Sequence, residues 1–264
     1  MNIGVCIKRV PASDSRIGIT ADGSNVDMSS ISKYEINPYD EFAIEEAVSL
    51  KDAGKASKVI VYTLDDSAGE SILRSALAQG ADSAVLIKDE ALDGSDCLGI
   101  ATALSEAIKK DDISLLFCGK QAIDGDNAQV PLMIAELLGW GHANVVSQFE
   151  LEDANYKAWC DFGGGSRAVV EGGLPAVITC DKGLNKPRFP KLKDRMKAKK
   201  KPLTVLDAGA LDLDSDSIGS ANVQYSEGNW QLPPQRAECQ FIEGDTQSAV
   251  AELVRRLRED VKVL

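Results

Sequence analysis

The chain has 264 residues, enough to bury a large α/β core without disulfide or metal staples. Its formal net charge of −12 argues against a general nucleic-acid or anionic-membrane surface. Six cysteines (Cys6, Cys97, Cys118, Cys160, Cys180, Cys239) form no Cys-x-x-Cys pair, which disfavours zinc and iron–sulfur sites and reads as buried, reduced thiols.

The amino terminus, Met1-Asn-Ile-Gly-Val-Cys-Ile-Lys, lacks a basic stretch followed by a signal-like apolar core. No apolar run approaches the roughly 20 residues that span a bilayer, so no membrane insertion and a cytoplasmic location are expected. Ile3 to Ile7 has the continuous apolar character of a buried strand and ends at Lys8-Arg9-Val10-Pro11, two cations well placed for a phosphate or simply solvated. Between residues 13 and 33, Ile17, Ile19 and Val26 have the spacing of a hairpin excursion. Asn37 and Pro38 then turn the chain into a helix, with Asp40 and Glu41 in its first turn and apolar positions running toward Gly54.

Val59 to Leu64 reads as a strand, Ser67 to Gln79 as a helix capped by Gly80, Ala84 to Ile87 as a strand, and Asp96 to Lys109 as a helix. Ile113 to Cys118 is the next strand. It stops at Gly119, and helical spacing resumes after Pro131 and closes at Gly139. Strands alternating with helices imply parallel βαβ units, hence a doubly wound, mostly parallel α/β sheet of Rossmann-like type.

The loop beyond Cys118 is the most informative stretch. Gly119 would allow close approach of a ligand and Lys120 offers a cation. Asp124, Asn127 and Gln129 offer hydrogen bonds beside the free N–H groups of the next helix. Gly, Asp and Asn also turn chains and cap helices with no ligand, and composition alone leaves both readings open. The loop matches neither Gly-x-x-x-x-Gly-Lys-Ser/Thr nor Gly-x-Gly-x-x-Gly.

From Asn144 the pattern shifts to short alternating strands, Val145 to Phe149, Tyr156 to Cys160, Arg167 to Val170 and Ala176 to Cys180, a small antiparallel addition returning to the sheet. The only histidine, His142, has no second histidine or adjacent carboxylate for a relay and reads as an ordinary surface or core residue. Residues 182 to 202 are strongly basic, broken by prolines and carry Phe189, Leu192 and Met196. That mixture suits docking to an acidic protein surface better than nucleic acid. Residues 206 to 235 read as an extended arm, and Ala249 to Leu257 as a last amphipathic helix.

Val5-Cys-Ile-Lys-Arg-Val, Ile36-Asn-Pro-Tyr-Asp-Glu-Phe-Ala-Ile-Glu-Glu-Ala, Cys118-Gly-Lys-Gln-Ala-Ile-Asp-Gly-Asp-Asn-Ala-Gln and Leu184-Asn-Lys-Pro-Arg-Phe with Met196-Lys-Ala-Lys-Lys-Lys-Pro, in this order, resemble the beta subunit of electron transfer flavoprotein. Leu73-Arg-Ser-Ala-Leu-Ala-Gln-Gly-Ala-Asp and Leu174-Pro-Ala-Val-Ile-Thr extend the resemblance over nearly the whole chain. It implies a heterodimer with an alpha subunit that holds most of the redox FAD, and a structural AMP in this chain. Carried onto this sequence, the nucleotide site is Cys6, Asn37, Pro38, Tyr39, Asp40, Leu64, and Gly119, Lys120, Gln121, Ala122, Ile123, Asp124, Gly125, Asp126, Asn127, Ala128, Gln129 and Val130.

The resemblance also makes the basic segment a recognition loop for flavin-containing dehydrogenases, with Leu192 as anchor beside Phe189, Met196 and Lys197. Asp124-Gly-Asp-Asn-Ala-Gln-Val-Pro differs from the Asn-x-Thr-Gly version of mitochondrial-type members and is partly similar to bifurcating relatives, where a second FAD replaces AMP and NADH is the donor. The expected organisation is a nucleotide-binding domain over 1–182, a basic recognition loop over 183–205, and an arm and helix over 206–264 that contact the partner subunit. A non-catalytic electron carrier subunit is the leading reading. A stand-alone adenine-nucleotide-binding protein of the same architecture is the alternative from another class.

Overall fold

Runs of Val, Ile and Leu without polar alternation must be covered on both faces, and here they become the middle of one sheet. In the computed structural model, which describes residues 1–264 except Ser215, Ser217 and Ser226, the elements run as follows. β1 (Asn2–Cys6) leads to β2 (Arg9–Pro11), the small hairpin β3 (Gly18–Ile19) and β4 (Val26–Asp27), then β5 (Tyr34–Ile36) and α1 (Pro38–Asp52). β6 (Lys58–Leu64), α2 (Gly69–Gln79), β7 (Ser83–Ile87), α3 (Cys97–Lys109), β8 (Ile113–Gly119) and α4 (Val130–Leu138) complete the alternating part. β9 (Gly141–Glu152), β10 (Asn155–Asp161), β11 (Arg167–Gly173), β12 (Ala176–Cys180), α5 (Leu192–Ala198), β13 (Leu203–Leu206) and α6 (Thr246–Glu259) follow.

The large sheet has nine strands in the order β11-β10-β9-β12-β8-β1-β6-β7-β13. From β9 to β13 every neighbouring pair is parallel, while β10 pairs antiparallel with both β9 and β11. Residues of alternate parity along each strand feed two cores. Ile3, Val5, Val61, Phe117 and Ile178 pack with Ile44, Val48 and Leu73 of α1 and α2. Ile60, Tyr62, Leu116 and Val177 pack with Leu104, Ile108 and Ile134 of α3 and α4. Each such side chain, wholly withdrawn from water, contributes about 1.5 to 3 kcal/mol by burial. The fold is thus a doubly wound, mostly parallel α/β sheet with an antiparallel extension.

Three local differences from the sequence reading have physical causes. β9 begins at Gly141 rather than near Val145, because Gly141-His-Ala-Asn is polar in composition yet pairs with the apolar β12. The basic stretch contains a helix, α5, whose Ala198 is buried while its charged residues face water. Leu203 to Leu206, just before the expected arm, add a parallel edge strand to β7.

Two compact units divide the chain, Met1–Asn229 and Trp230–Leu264. In the second, residues 230 to 243 carry no helix or strand, and α6 begins where Asp245 Oδ1 accepts the N–H groups of Gln247 and Ser248. No helix among the described residues is long and apolar enough to cross a membrane.

Candidate functional site

The sheet reverses its growth at β1: β6 and β7 lie to one side, β8 and β12 to the other. Connecting helices leave to opposite faces at such a point and open a crevice beyond the carboxyl ends of the strands. Cys6 ends β1, Gly119 ends β8 and Leu64 ends β6, so these three flank the crevice.

A polar knot closes its floor. Asn37 opens α1, yet its side chain does not cap the helix. Its Nδ2 instead donates to Asp40 Oδ1 and to the Gln121 carbonyl, both at 2.9 Å, and its Oδ1 accepts the Ile123 N–H at 3.2 Å. Asp40 also accepts the Lys8 N–H at 2.7 Å and the Gly119 N–H at 3.0 Å. With Pro38 setting the first turn of α1, the ends of β1 and β8 are thereby fixed to one helix start. Burial pushes the Asp40 carboxyl up to about 7, against the pull of its three N–H donors and Lys8.

Gly119 has no room for a side chain. A Cβ there would collide with Asp40 Oδ1 and lie 2.8 Å from Tyr39 Cβ and 3.0 Å from Asn37 Nδ2. The space that a side chain would take there is filled by the protein's own helix start.

The cations at the strand ends are also engaged. Lys8 Nζ lies 2.7 Å from Asp124, Lys120 Nζ 3.0 Å from Asp181, and Arg9 binds Asp65 at 2.5 and 2.8 Å. Lys120 also stands over the Tyr39 ring, 5.0 Å from its centroid. Each is neutralised by a carboxylate, so backbone donors are left as the main anion-binding groups.

Those donors are supplied by the loop from Gln121 to Val130. Gln121 Nε2 holds Asp126 at 2.6 Å, and the Asp126 N–H reaches the Ala122 carbonyl at 2.9 Å. Asp126 (φ 52°) and Ala128 (φ 53°) adopt left-handed conformations, which cost a residue with a Cβ roughly 1 to 2 kcal/mol. The N–H groups of Asn127, Ala128, Gln129 and Val130 find no acceptor among the described residues. Left-handed Ala128 followed by right-handed Gln129 is a pairing that can turn successive N–H groups toward one concavity, here at the positive end of α4. This donor set fits a phosphate.

Cys6 and Cys118 lie side by side in the β1–β8 register beneath the crevice. Hydrogen bonding to Cys6, then burial, raises the Cys118 thiol. Beyond the carboxyl ends of β6 and β7 lies a cleft of about 480 Å³, floored by Leu64, Ile87, Leu92 and Ile100 and rimmed by carboxylates including Asp65 and Asp89.

Sequence reasoning missed Asp181, Asp65 and Tyr225. Asp181 follows the last residue of β12 as Lys120 follows that of β8, a shared position after paired parallel strands that would have signalled their contact. Tyr225 lies in the polar segment read as an arm, where nothing in sequence pointed to Asn127, its hydrogen-bond partner.

The basic segment is clamped at both ends. Arg188 binds Glu45 through Nε at 2.8 Å and Nη2 at 2.9 Å, and Asp52 at 2.8 Å, while Asn185 donates to the Phe42 carbonyl and to Glu46. At the exit, Arg74 Nη1 donates to the carbonyls of Ala198 and Lys201. Between the clamps Phe189 (92% exposed), Leu192 (77%) and Met196 (64%) stand in water beside exposed Lys197. The structure therefore brings the residues at Cys6, Asn37 to Asp40 and Gly119 to Val130 to one crevice and holds the four basic-segment residues on a separate surface.

The model of the electron transfer flavoprotein domain matches residues 29–211. The chain belongs to the electron transfer flavoprotein family. Subunit beta of the electron transfer flavoprotein of Bacillus subtilis is 34% identical over 265 residues, covering 100% of each chain. That of Mus musculus is 35% identical over 251 residues, 94% of this chain and 95% of its own. That of Bradyrhizobium diazoefficiens is 38% identical over 212 residues, 79% and 84% respectively. The family match takes in Asn37, Asp40, the 119–130 loop and the whole basic segment.

Proposed function

We propose that this chain is the nucleotide-binding and docking subunit of a cytoplasmic heterodimeric electron carrier, with an alpha subunit as its partner and flavin-containing dehydrogenases as its electron donors. AMP is the ligand of the crevice. Its phosphate would lie on the N–H groups of Asn127 to Val130, while Asn37 and Asp40 hold that loop against β1 and α1. FAD, held mainly by the alpha subunit, supplies the electron-accepting and electron-releasing chemistry. This chain's residues bind, orient and exclude water, and the clamped basic segment presents Leu192 with Phe189, Met196 and Lys197 to the dehydrogenase. The arm and helix of 206–264 would engage the alpha subunit.

The observation that carries the nucleotide reading is the run of open N–H groups at the topological switch point. A second reading, a second FAD in place of AMP and NADH as donor, is supported by the further cleft of about 480 Å³ that shares Leu64 with the proposed nucleotide site. Denaturing the purified complex and quantifying the released nucleotides tests both. One AMP with one FAD supports the simple carrier, two FAD without AMP support the second reading, and a complex without nucleotide in this chain removes both.

A further inference from the structure

The carboxyl end of the first compact unit folds back on the nucleotide loop. Residues 218 to 225 are seated on the start of α3 by a series of bonds. The Gly219 N–H donates to Ser95 Oγ at 2.8 Å, the Ser220 N–H to the Asp93 carbonyl at 3.1 Å, and the Gln224 N–H to Asp96 Oδ2 at 2.7 Å. Asp96 meanwhile caps α3 by accepting the N–H groups of Leu98 and Gly99 through Oδ1. Ile218 is buried beneath the segment. At its end the Tyr225 hydroxyl lies 3.2 Å from Cys97 Sγ and accepts from Asn127 Nδ2 at 3.4 Å. Asn127 Nδ2 is also 3.8 Å from Cys97 Sγ.

We propose that Tyr225 is a positioning residue for the nucleotide loop, tying the open N–H run through Asn127 to α3 and to segment 218–225, so that nucleotide binding and the seating of that segment favour each other. The proposal rests on the nucleotide reading above. Asn127 sits between left-handed Asp126 and left-handed Ala128, a conformation that persists only where surroundings hold it. Its side chain is bonded to Tyr225 and Cys97, and neither group belongs to the loop. Binding free energies linked through one contact are reciprocal: a nucleotide that orders the loop must also tighten Tyr225 on Cys97.

The test uses the full chain in complex with its partner subunit, depleted of nucleotide and titrated with AMP and with FAD. Tyr225→Phe keeps the ring and removes only the hydroxyl. The expected result is weakening of the bound nucleotide by about two- to twelvefold, the usual span for one neutral hydrogen bond. Cys97 is buried, so its alkylation, followed by peptide mass mapping, reports seating of the segment. Nucleotide should slow it severalfold in the parent and not in the variant, a response that a purely structural tyrosine would not produce. Asn127→Ala provides the second arm, and the double variant should bind no more weakly than the weaker single variant.

Parent-like affinity and nucleotide protection of Cys97 in Tyr225→Phe, or losses that add in the double variant, would overturn the coupling while leaving nucleotide binding intact. A parent complex that takes up no AMP, and no FAD beyond the one held by the partner subunit, would remove the nucleotide reading and this inference together.

Discussion

The buried carboxylate of Asp40 accepts the Gly119 N–H at 3.0 Å, joining the first turn of α1 to the end of β8 across 79 positions of sequence. The same carboxyl has an ordinary value of 3.8 and stands near 7 in the fold, chiefly through burial. Between those values the native state keeps a proton that the unfolded chain has released, so this group's contribution to stability falls as pH rises. Asp40→Asn lacks the titration. The unfolding free energies of variant and parent, followed by urea titration, should therefore converge or cross in the variant's favour between pH 4 and pH 7, by up to about 1.4 kcal/mol per pH unit. Parallel curves over that range would show the Asp40 carboxyl to be unshifted.

Gly119→Ala places a methyl group against Asp40 Oδ1, Tyr39 Cβ and Asn37 Nδ2. Overpacking of this kind costs about 1 to 3 kcal/mol, and nucleotide retention should fall with it. Because the nearest colliding atom belongs to Asp40, the Gly119→Ala/Asp40→Ala pair should lose less than the sum of its single variants. Strict additivity in denaturant unfolding would mean that the backbone, and not Asp40, takes up the strain.

Asp124 makes a surface ion pair with Lys8 at 2.7 Å and accepts the Gly125 N–H at 2.9 Å. Their side chains are 27% and 54% exposed, so Asp124→Ala should change stability by less than about 1 kcal/mol. Nucleotide content after gel filtration should nevertheless drop, because the loop loses its tie to the end of β1. Full content would reduce the pair to a local cap.

The alternating strands and helices were legible because their periodicities differ and because glycines stop them. The crevice was legible for the same reason, since strand ends in such a sheet point to it. What the sequence concealed was pairing at a distance. Lys8, Arg9 and Lys120 look alike as free cations until Asp124, Asp65 and Asp181 are brought against them. Gly119 shows in sequence no sign that Asp40 occupies the space where its Cβ would be. Composition describes each residue's capacity for bonding, and only the fold assigns the partner. Leu203 to Leu206 were hidden by the basic run before them, because an edge strand needs only one apolar face.

Arg188→Ala removes the guanidinium's hold on Glu45 and Asp52 while leaving Leu192 in place. Limited proteolysis between residues 186 and 200 should accelerate, since the entry of the segment then keeps only the Asn185 bonds and the backbone N–H of residue 188 on Glu45 Oε2 at 3.0 Å. Electron transfer from the dehydrogenase should slow at subsaturating concentration and recover at saturation. An unchanged cleavage rate would place the restraint on the Arg74 side.

Leu192 opens α5 and Met196 lies four residues on, so the two share one face of the helix, with Phe189 just before it. All three are exposed, and an apolar anchor of this size is worth about 1 to 3 kcal/mol when a partner buries it. Leu192→Ala should therefore weaken docking of a partner dehydrogenase by that amount, with nucleotide and flavin content untouched, because the crevice residues lie on other elements. Lys197→Ala should act mainly on the association rate and lose its effect at high salt, as expected of an exposed charge. Stopped-flow reduction of the complex across dehydrogenase and salt concentrations separates the two. Equal rates for Leu192→Ala and parent at subsaturating dehydrogenase would take the anchor role away from this residue.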